Sequence, residues 1–268
     1  MNRIFLTRFA LTSAAALGLL IGCGTVADLA GYDSRSMNES AAKSYTQVVS
    51  EAKSQGAVDT TSAIAKRVQT IFKRMKPFAE AANQTGVPFD WQMTVIRSNE
   101  LNAWAMPGGK MVVYTGLVSK LKLTDDETAA VVGHEMTHAL HEHSKKAAGQ
   151  QLITNTAMNI GGQVLAAKTG IDGTVLSTSQ DLLSQYGIGL PFSRSQESDA
   201  DKGGLMLMAQ AGYNPQAAVT VWEKMNQLNN NNSVLSAITS THPTNNNRID
   251  AIRKLLPEVM PIYEKNKR

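Results

Sequence analysis

Cysteine is almost absent from this chain of 268 residues, which contains Cys23 and no other. One cysteine cannot form an intramolecular disulfide, so no such cross-link contributes to the fold. Clusters of lysine and arginine are absent as well, and the 26 basic residues are nearly balanced by 22 acidic ones. Nucleic-acid binding is therefore not indicated, although the isoelectric point is about 9.1. No internal repeat is visible either.

The first apolar run lies at the N-terminus and is typical of a signal peptide. Two arginines precede an apolar stretch from Phe9 to Leu20, which is too short for a comfortable transmembrane helix. The stretch ends in Leu-Ile-Gly-Cys at residues 20–23, a sequence that resembles the lipobox of bacterial lipoproteins. We therefore expect residues 1–22 to be a lipoprotein signal peptide and Cys23 to be lipidated. An unlipidated secretory signal is the alternative.

The lipobox also predicts where the protein lies. Gly24 follows the cysteine, whereas Asp at this position marks retention in the inner membrane. We therefore expect an anchor in the outer membrane that faces the periplasm, made of several acyl chains including palmitate, because one chain holds only marginally. Removal of residues 1–22 takes away Arg3 and Arg8 and leaves 24 basic against 22 acidic residues, a net charge of +2.

The mature chain has a length that suits one domain. We predict a lipid-anchored tether over residues 23–37 and a single, mainly helical α+β domain over 38–268. Alternating hydrophobicity predicts a strand over Trp91–Arg97, and the turn signal Pro107-Gly108-Gly109 predicts a hairpin between strands at 102–106 and 110–115. Residues 150–168 are apolar but interrupted by polar side chains, so a membrane span is not expected there. Helices are predicted over 39–54, 60–84, 125–147, 176–186, 194–211, 215–228 and 245–256.

The motif His-Glu-x-x-His at residues 134–138 indicates a zinc site. On a helix, His134 and His138 lie on one face about one turn apart, so both can bind one Zn²⁺ through neutral ring nitrogens. Glu135 then lies close enough to act on a zinc-activated water. The segment Thr124–Glu127 matches a capping box, and the apolar run after it places the helix in the core. Histidine and glutamate are costly there unless a metal and hydrogen bonds satisfy them.

A catalytic zinc usually has three protein ligands, and the histidine-rich segment itself does not supply the third. The metzincin spacing would require a histidine six residues after His138, but Ser144 occupies that position. His141 lies two turns from His134, so we expect a polar neighbour of the site rather than a ligand. His143 is expected to project from the opposite helix face as a structural residue.

Glu197 and Asp201 are the better candidates because they are again four residues apart. Glu197 would be the third metal ligand, and Asp201 would accept the free N–H of a zinc-bound histidine and fix its tautomer. The alternative is that these acids only complement the dipole at a helix N-terminus.

The two motifs in this order resemble the CaaX-prenyl-protease and HtpX-type zinc metallopeptidases, which are gluzincins. Within them, the chain is most similar to a soluble, lipid-anchored bacterial branch. The resemblance extends from about Phe89 to Arg253 and implies a zincin-like fold, with a small β-sheet beside the active-site helix and one zinc per chain. Further matching motifs are Asn102–Gly109, Val112–Leu117, and Thr241-His242-Pro243 with Arg248 and Ile249 downstream.

The resemblance implies roles for three more features. An edge strand next to the metal would bind the substrate backbone by β-addition, although Trp104 and Met106 can also be core residues. His242 would occupy the open position of the zinc as a latch or stabilise the oxyanion, with a structural loop histidine as the alternative. Arg248 would pair with an acid of the Glu197–Asp201 helix. The residues of the candidate strand are Asn102, Ala103, Trp104, Ala105 and Met106.

The sequence therefore predicts a zinc-dependent endopeptidase of the bacterial cell envelope with Glu135 as general base. Its implied partners are misfolded or misassembled envelope proteins and, through Cys23, the membrane. The alternative is a chaperone-like outer-membrane assembly factor, associated with the assembly machinery, whose zinc site is latched and mostly inactive. An intact Glu135 favours the peptidase, because a binding module needs no general base. An aminopeptidase is less favoured, since no feature is dedicated to a free α-amine.

Overall fold

The computed structural model describes residues 22–154, 192–230, 237–243 and 245–267. The described residues belong to two compact units. One contains residues 22–33 and 145–154, and the other contains residues 34–144 together with those from 192 onward. The signal peptide predicted over 1–22, apart from Gly22, and the helix predicted over 176–186 lie outside the described residues.

The smaller unit contains the lipidation candidate. Helix α1 (Cys23–Leu29) lies within the segment predicted as a tether, and residues 145–154 are also helical. The Cys23 thiol donates a hydrogen bond to Gln150 Oε1 at 3.1 Å, and Lys145 Nζ lies 2.8 Å from Asp28 Oδ1. Among the helices that the structure describes, none combines the length and the apolar character needed to cross a membrane.

The larger unit contains a small sheet of strands β1 (Gln92–Ile96), β2 (Ala103–Met106) and β3 (Lys110–Tyr114). Their order is β1-β3-β2, with β1 parallel and β2 antiparallel to β3. The predicted hairpin is confirmed. Its turn requires glycine at Gly109, where φ is +80° and a Cβ atom would come within 2.6 Å of the Trp91 ring.

Helices make up most of the described chain, and the predicted mainly helical α+β class is confirmed. The last helix continues beyond the predicted end at residue 256, through Pro257 and Pro261. The buried Val259 lies in this extension, so packing outweighs the backbone hydrogen bonds that the prolines cannot donate. The helices of this unit are α2 (Ser34–Ser54), α3 (Ala63–Ala82), α4 (Thr115–Lys120), α5 (Asp125–Leu140), α6 (Arg194–Gln210), α7 (Gln216–Asn230), α8 (Ala237–Thr241) and α9 (Asn246–Asn266).

Helix α5 carries the His-Glu-x-x-His motif and ends earlier than predicted. The expected capping box forms, because Thr124 accepts from the Glu127 amide and the Glu127 carboxylate accepts from the Thr124 amide. The prediction of one helix over 125–147 is wrong. The helix ends at Leu140, Glu142 adopts a left-handed φ of 52°, and helical structure resumes at residue 143. The side chains after this break therefore point in directions that a continuous helix would not give.

Two helices approach closely where the predicted metal ligands lie. Gly133 on α5 packs against Gly204 on α6, and a Cβ atom on Gly204 would come within 2.8 Å of the His134 backbone nitrogen. Helix α6 begins with a second capping box, formed by Ser193 and Gln196. The absence of side chains at the crossing lets the two backbones touch, which places the two motifs opposite each other.

Candidate active site

Four predicted side chains converge in the core of the larger unit. His134 and His138 come from α5, Glu197 from α6, and His242 from the loop after α8. Each offers one potential metal-ligand atom, and these atoms all lie within 4.8 Å of one another. All four side chains are buried.

Hydrogen bonds to two further residues direct the free lone pairs of the histidines toward one point. His134 Nδ1 lies 3.1 Å from Asp201 Oδ1, so the Nδ1–H form donates to the carboxylate and leaves an acceptor lone pair on Nε2. His138 Nδ1 lies 2.9 Å from His143 Nδ1, and donation from His138 likewise leaves its Nε2 as an acceptor. The Asp201 contact is the one that the sequence predicted.

This arrangement of donors fits a zinc ion. His134 Nε2 and His138 Nε2 are 3.0 Å apart, and His138 Nε2 lies 3.4 Å from Glu197 Oε1. Two lone pairs and a carboxylate oxygen repel one another at these distances unless a cation lies between them. Two imidazoles and one carboxylate are a donor set of catalytic zinc.

The charge states of the ligands suit a cation. Burial lowers the pKa of His138 well below its usual value, so the ring is neutral and can act as a ligand. Burial would raise the pKa of Glu197, but His242, His138 and His134 outweigh it and hold that pKa below its ordinary range. The site therefore presents a neutral imidazole and an ionised carboxylate, as metal binding requires.

Arg248 connects the two acids of α6. Its Nε and Nη2 donate to the two Asp201 oxygens at 2.8 and 2.7 Å, and its Nη1 lies 2.5 Å from Glu197 Oε2. The guanidinium also stacks over the Trp222 ring at 3.6 Å. Burial would raise the pKa of Asp201, but Arg248 outweighs it and keeps the carboxylate ionised. The predicted Arg248 contact therefore reaches both acids and fixes their orientation.

His143 and Phe192 contact the site in ways that sequence reasoning missed. His143 is fully buried and bonded to His138, instead of projecting from the opposite face, because the break at Glu142 redirects it. His141, expected nearer the ligands, is exposed and lies beside His143 with ring centroids 5.6 Å apart. The Phe192 ring stacks on His138 at 4.0 Å. Neither periodicity nor spacing indicates these contacts.

Glu135 is the candidate general base. Its side chain is buried, and its Oε1 has no hydrogen-bond partner among the described residues. The Nε2 atom of His242 lies 3.4 Å from this oxygen. Burial raises the pKa of Glu135 above its usual value, which brings a carboxylate closer to the range where it can accept and return a proton near neutral pH.

His242 lies against the metal ligands rather than in solvent. Its Nδ1 is 2.9 Å from Glu197 Oε1 and 3.2 Å from His134 Nε2. The loop is tied down because the His242 amide donates to Ile238 and the Phe192 amide donates to Thr241. In this conformation the histidine is placed where it can supply a fourth donor to the metal.

Strand β2 has the edge position that substrate binding by β-addition needs. At the opposite edge of the sheet, the segment around Val58 pairs with Ile96 and covers β1. The antiparallel register alternates the backbone groups of β2, so those of Ala103 and Ala105 point away from β3. All four residues of the strand are buried, so Trp104 and Met106 also serve the core.

Known metallopeptidases match this chain. The model of peptidase family M48 matches residues 62–256. Metalloprotease LoiP of Escherichia coli is 33% identical over 73% of this chain and 75% of its own length, and Metalloprotease YcaL of the same organism is 28% identical over 92% and 96%. Mitochondrial metalloendopeptidase OMA1 of Schizosaccharomyces pombe is 36% identical over 63% of this chain. The chain spans between 34% and 50% of the length of the OMA1 relatives.

Proposed function

The chain belongs to peptidase family M48, a family of zinc metallopeptidases, and from that premise we propose that it is an endopeptidase of the bacterial cell envelope that cuts misfolded or misassembled envelope proteins. One observation carries the proposal. Two histidine lone pairs and the Glu197 carboxylate meet at a single point, beside a buried glutamate whose Oε1 has no hydrogen-bond partner among the described residues. That combination suits hydrolysis, whereas binding alone needs no general base.

Each residue of the site has a separate role in the proposed hydrolysis. His134, His138 and Glu197 would hold zinc. This Lewis acid would lower the pKa of water toward neutrality and polarise the substrate carbonyl. Glu135 Oε1 accepts the proton from water during attack on the peptide carbon, and the same carboxyl group then gives it to the leaving amine nitrogen. Asp201 and His143 keep the two ligand histidines in the tautomer that leaves Nε2 free.

Strand β2 suggests why the enzyme would accept unfolded chains. The backbone groups of Ala103 and Ala105 point away from β3, toward the outer edge of the described sheet, where an extended peptide can add as a further strand. Backbone hydrogen bonds require an extended peptide but do not depend on the identity of its side chains. Folded proteins lack a free extended segment, so the proposed substrates are unfolded or misassembled proteins.

Removal of zinc tests the peptidase activity directly. We expect the purified protein to cut a casein or another unfolded protein, to stop when a chelator removes the metal, and to recover when one equivalent of zinc is restored. Zinc content is measured on the same samples, with folded substrate as the control. Cleavage that continues at full rate in metal-free protein would show that another site is responsible.

A latched, chaperone-like assembly factor is the second candidate, and the position of His242 favours it. Its Nδ1 lies 2.9 Å from Glu197 Oε1, where it can compete with substrate for the metal. One of the relatives, from Yersinia pestis, is named Beta-barrel assembly-enhancing protease and is 26% identical over 67% of this chain. In this alternative, the loop would have to leave the site before any cleavage.

Replacement of His242 by Ala separates the two candidates. If the histidine is a latch, we expect His242→Ala to raise the cleavage rate of unfolded protein while zinc content stays at one equivalent. If it stabilises the oxyanion, the rate falls by about 10²–10³-fold with the metal retained. Loss of zinc comparable to that of a ligand variant would contradict both roles and make His242 a structural ligand.

The proposed location in the envelope, in the lipid-anchored bacterial branch of the family, rests on the N-terminal sequence. The lipobox at residues 20–23 supports lipidation of Cys23, and Gly24 supports the outer membrane over the inner one. We expect Cys23→Ser to move the protein from the membrane fraction to the soluble fraction and to abolish labelling with a fatty acid. A variant that stays membrane-bound would refute the lipid anchor.

A further inference from the structure

A second group of potential metal donors lies outside the candidate active site. His141, His143 and Asp199 each offer one ligand atom, and these atoms all lie within 4.8 Å of one another. His143 Nε2 is 4.0 Å from Asp199 Oδ2, and the rings of His141 and His143 are edge-on to each other. Two imidazoles and one carboxylate are a donor set for zinc and similar divalent transition metals.

Two of the three donors are exposed side chains, so the group has room to close around an ion. Ligand atoms on one tetrahedral zinc lie roughly 3.3 Å apart, given metal–ligand bonds of about 2.0–2.1 Å. His141 is exposed, and the Asp199 side chain is 59% exposed, so both can rotate by the small distance that is needed. His143 is fully buried and supplies a fixed donor, while solvent can fill the remaining coordination position.

We propose that His141, His143 and Asp199 form a second binding site for a divalent transition-metal ion such as Zn²⁺, and that metal bound there weakens the hold of His138 on the catalytic zinc. The two sites share a hydrogen bond, because His143 Nδ1 lies 2.9 Å from His138 Nδ1. The inhibitory consequence rests on the proposed peptidase function, whereas the binding site itself does not.

One proton in the shared hydrogen bond makes the two sites antagonistic. When His138 binds zinc through Nε2, its Nδ1–H donates to His143 Nδ1, and the neutral His143 ring carries its own proton on Nε2. A metal on His143 Nε2 displaces that proton to solvent and needs Nδ1–H on the same ring. The bridging proton then belongs to His143, and a neutral His138 must take a proton on Nε2, which removes it as a zinc ligand.

The effect of excess metal on the zinc-loaded protein tests this proposal. The catalytic zinc is introduced as radioactive ⁶⁵Zn, and its exchange is followed as non-radioactive ZnCl₂ is added in excess. We expect a second equivalent of zinc in equilibrium dialysis. Loss of a partner that orients a metal-binding histidine weakens the metal about 10–100-fold, so ⁶⁵Zn exchange should accelerate by at least about tenfold. Cleavage of unfolded protein should fall over the same range of zinc concentration.

The matched control is the double variant His141→Ala with Asp199→Asn, which changes two exposed side chains. It should keep one equivalent of zinc, show no accelerated exchange and resist inhibition by excess zinc. The proposal is overturned if the unmodified protein binds only one equivalent, or if the double variant binds a second equivalent or is inhibited as strongly. The same dialysis on Glu135→Gln tests the second metal site separately from the proposed peptidase function, because this variant is expected to bind metal without cleaving substrate.

Discussion

Glu135→Gln is expected to abolish measurable cleavage of unfolded protein, with a loss of about 10²–10⁴-fold, and to leave one equivalent of zinc bound. The amide has nearly the shape of the carboxylate but cannot accept the proton from water. Glu135 is buried, and its Oε1 makes no hydrogen bond with the described residues. The substitution therefore removes a proton acceptor without breaking a network that orients the metal ligands.

Glu127→Gln provides the matched control for that result. Glu127 lies on the same helix and is also buried, but its carboxylate caps the helix and contacts Lys224. Gln supports a capping box as well, so cleavage should stay near the original rate. If Glu135→Gln cuts at the rate of the unmodified protein, Glu135 is not the base. If Glu135→Gln loses its zinc, the lost activity has another cause.

Glu197→Ala is expected to eliminate both tight zinc binding and activity. The substitution removes the only carboxylate among the three predicted ligands and leaves the buried Arg248 facing an empty position, since its Nη1 lies 2.5 Å from Glu197 Oε2. Breaking a buried ion pair costs about 3–5 kcal/mol, and the remaining Asp201 contacts favour the lower end of that range. Dialysed protein should contain no zinc, and its thermal unfolding should no longer respond to added zinc.

Asp199→Asn is the control for Glu197→Ala, because it removes an acid two residues further along the same helix. Its side chain is largely exposed and does not belong to the buried group of His134, His138, Glu197 and His242, so zinc and activity should be retained. Retention of stoichiometric zinc by Glu197→Ala at unchanged affinity would exclude Glu197 as a ligand and leave His242 as the third donor. Zinc content and the unfolding midpoint, measured with and without metal, decide between these outcomes.

The elements of the site could be predicted because their signals are local. His134 and His138 are four residues apart, as are Glu197 and Asp201, and a helix places residues at that spacing on one face. The predicted capping box begins α5, whereas the one that begins α6 was found only in the structure. The hairpin was also predictable, since its turn residues allow few backbone conformations.

The position of His143 shows where such reasoning fails. A continuous helix would direct it away from His138, but the backbone breaks at Glu142, a residue with a left-handed φ of 52°. Non-glycine residues rarely adopt that conformation, so no sequence rule indicates it. The contact between His143 and His138, through which the proposed second metal site would act on the first, follows from this break in the helix.

The sequence by itself determined which residues are candidates for the metal donors and the general base, and which helices carry them, because spacing within a helix is a local property. Only the tertiary structure decided that the donors meet. His134 and His242 are 108 residues apart along the chain, and their contact depends on glycine-mediated packing of α5 on α6 and on the loop that follows α8. The packing of α9 on α6 brings Arg248 to both acids, and the segment before α6 brings Phe192 onto His138. Such contacts depend on how distant surfaces fit together, which the local order of residues does not specify.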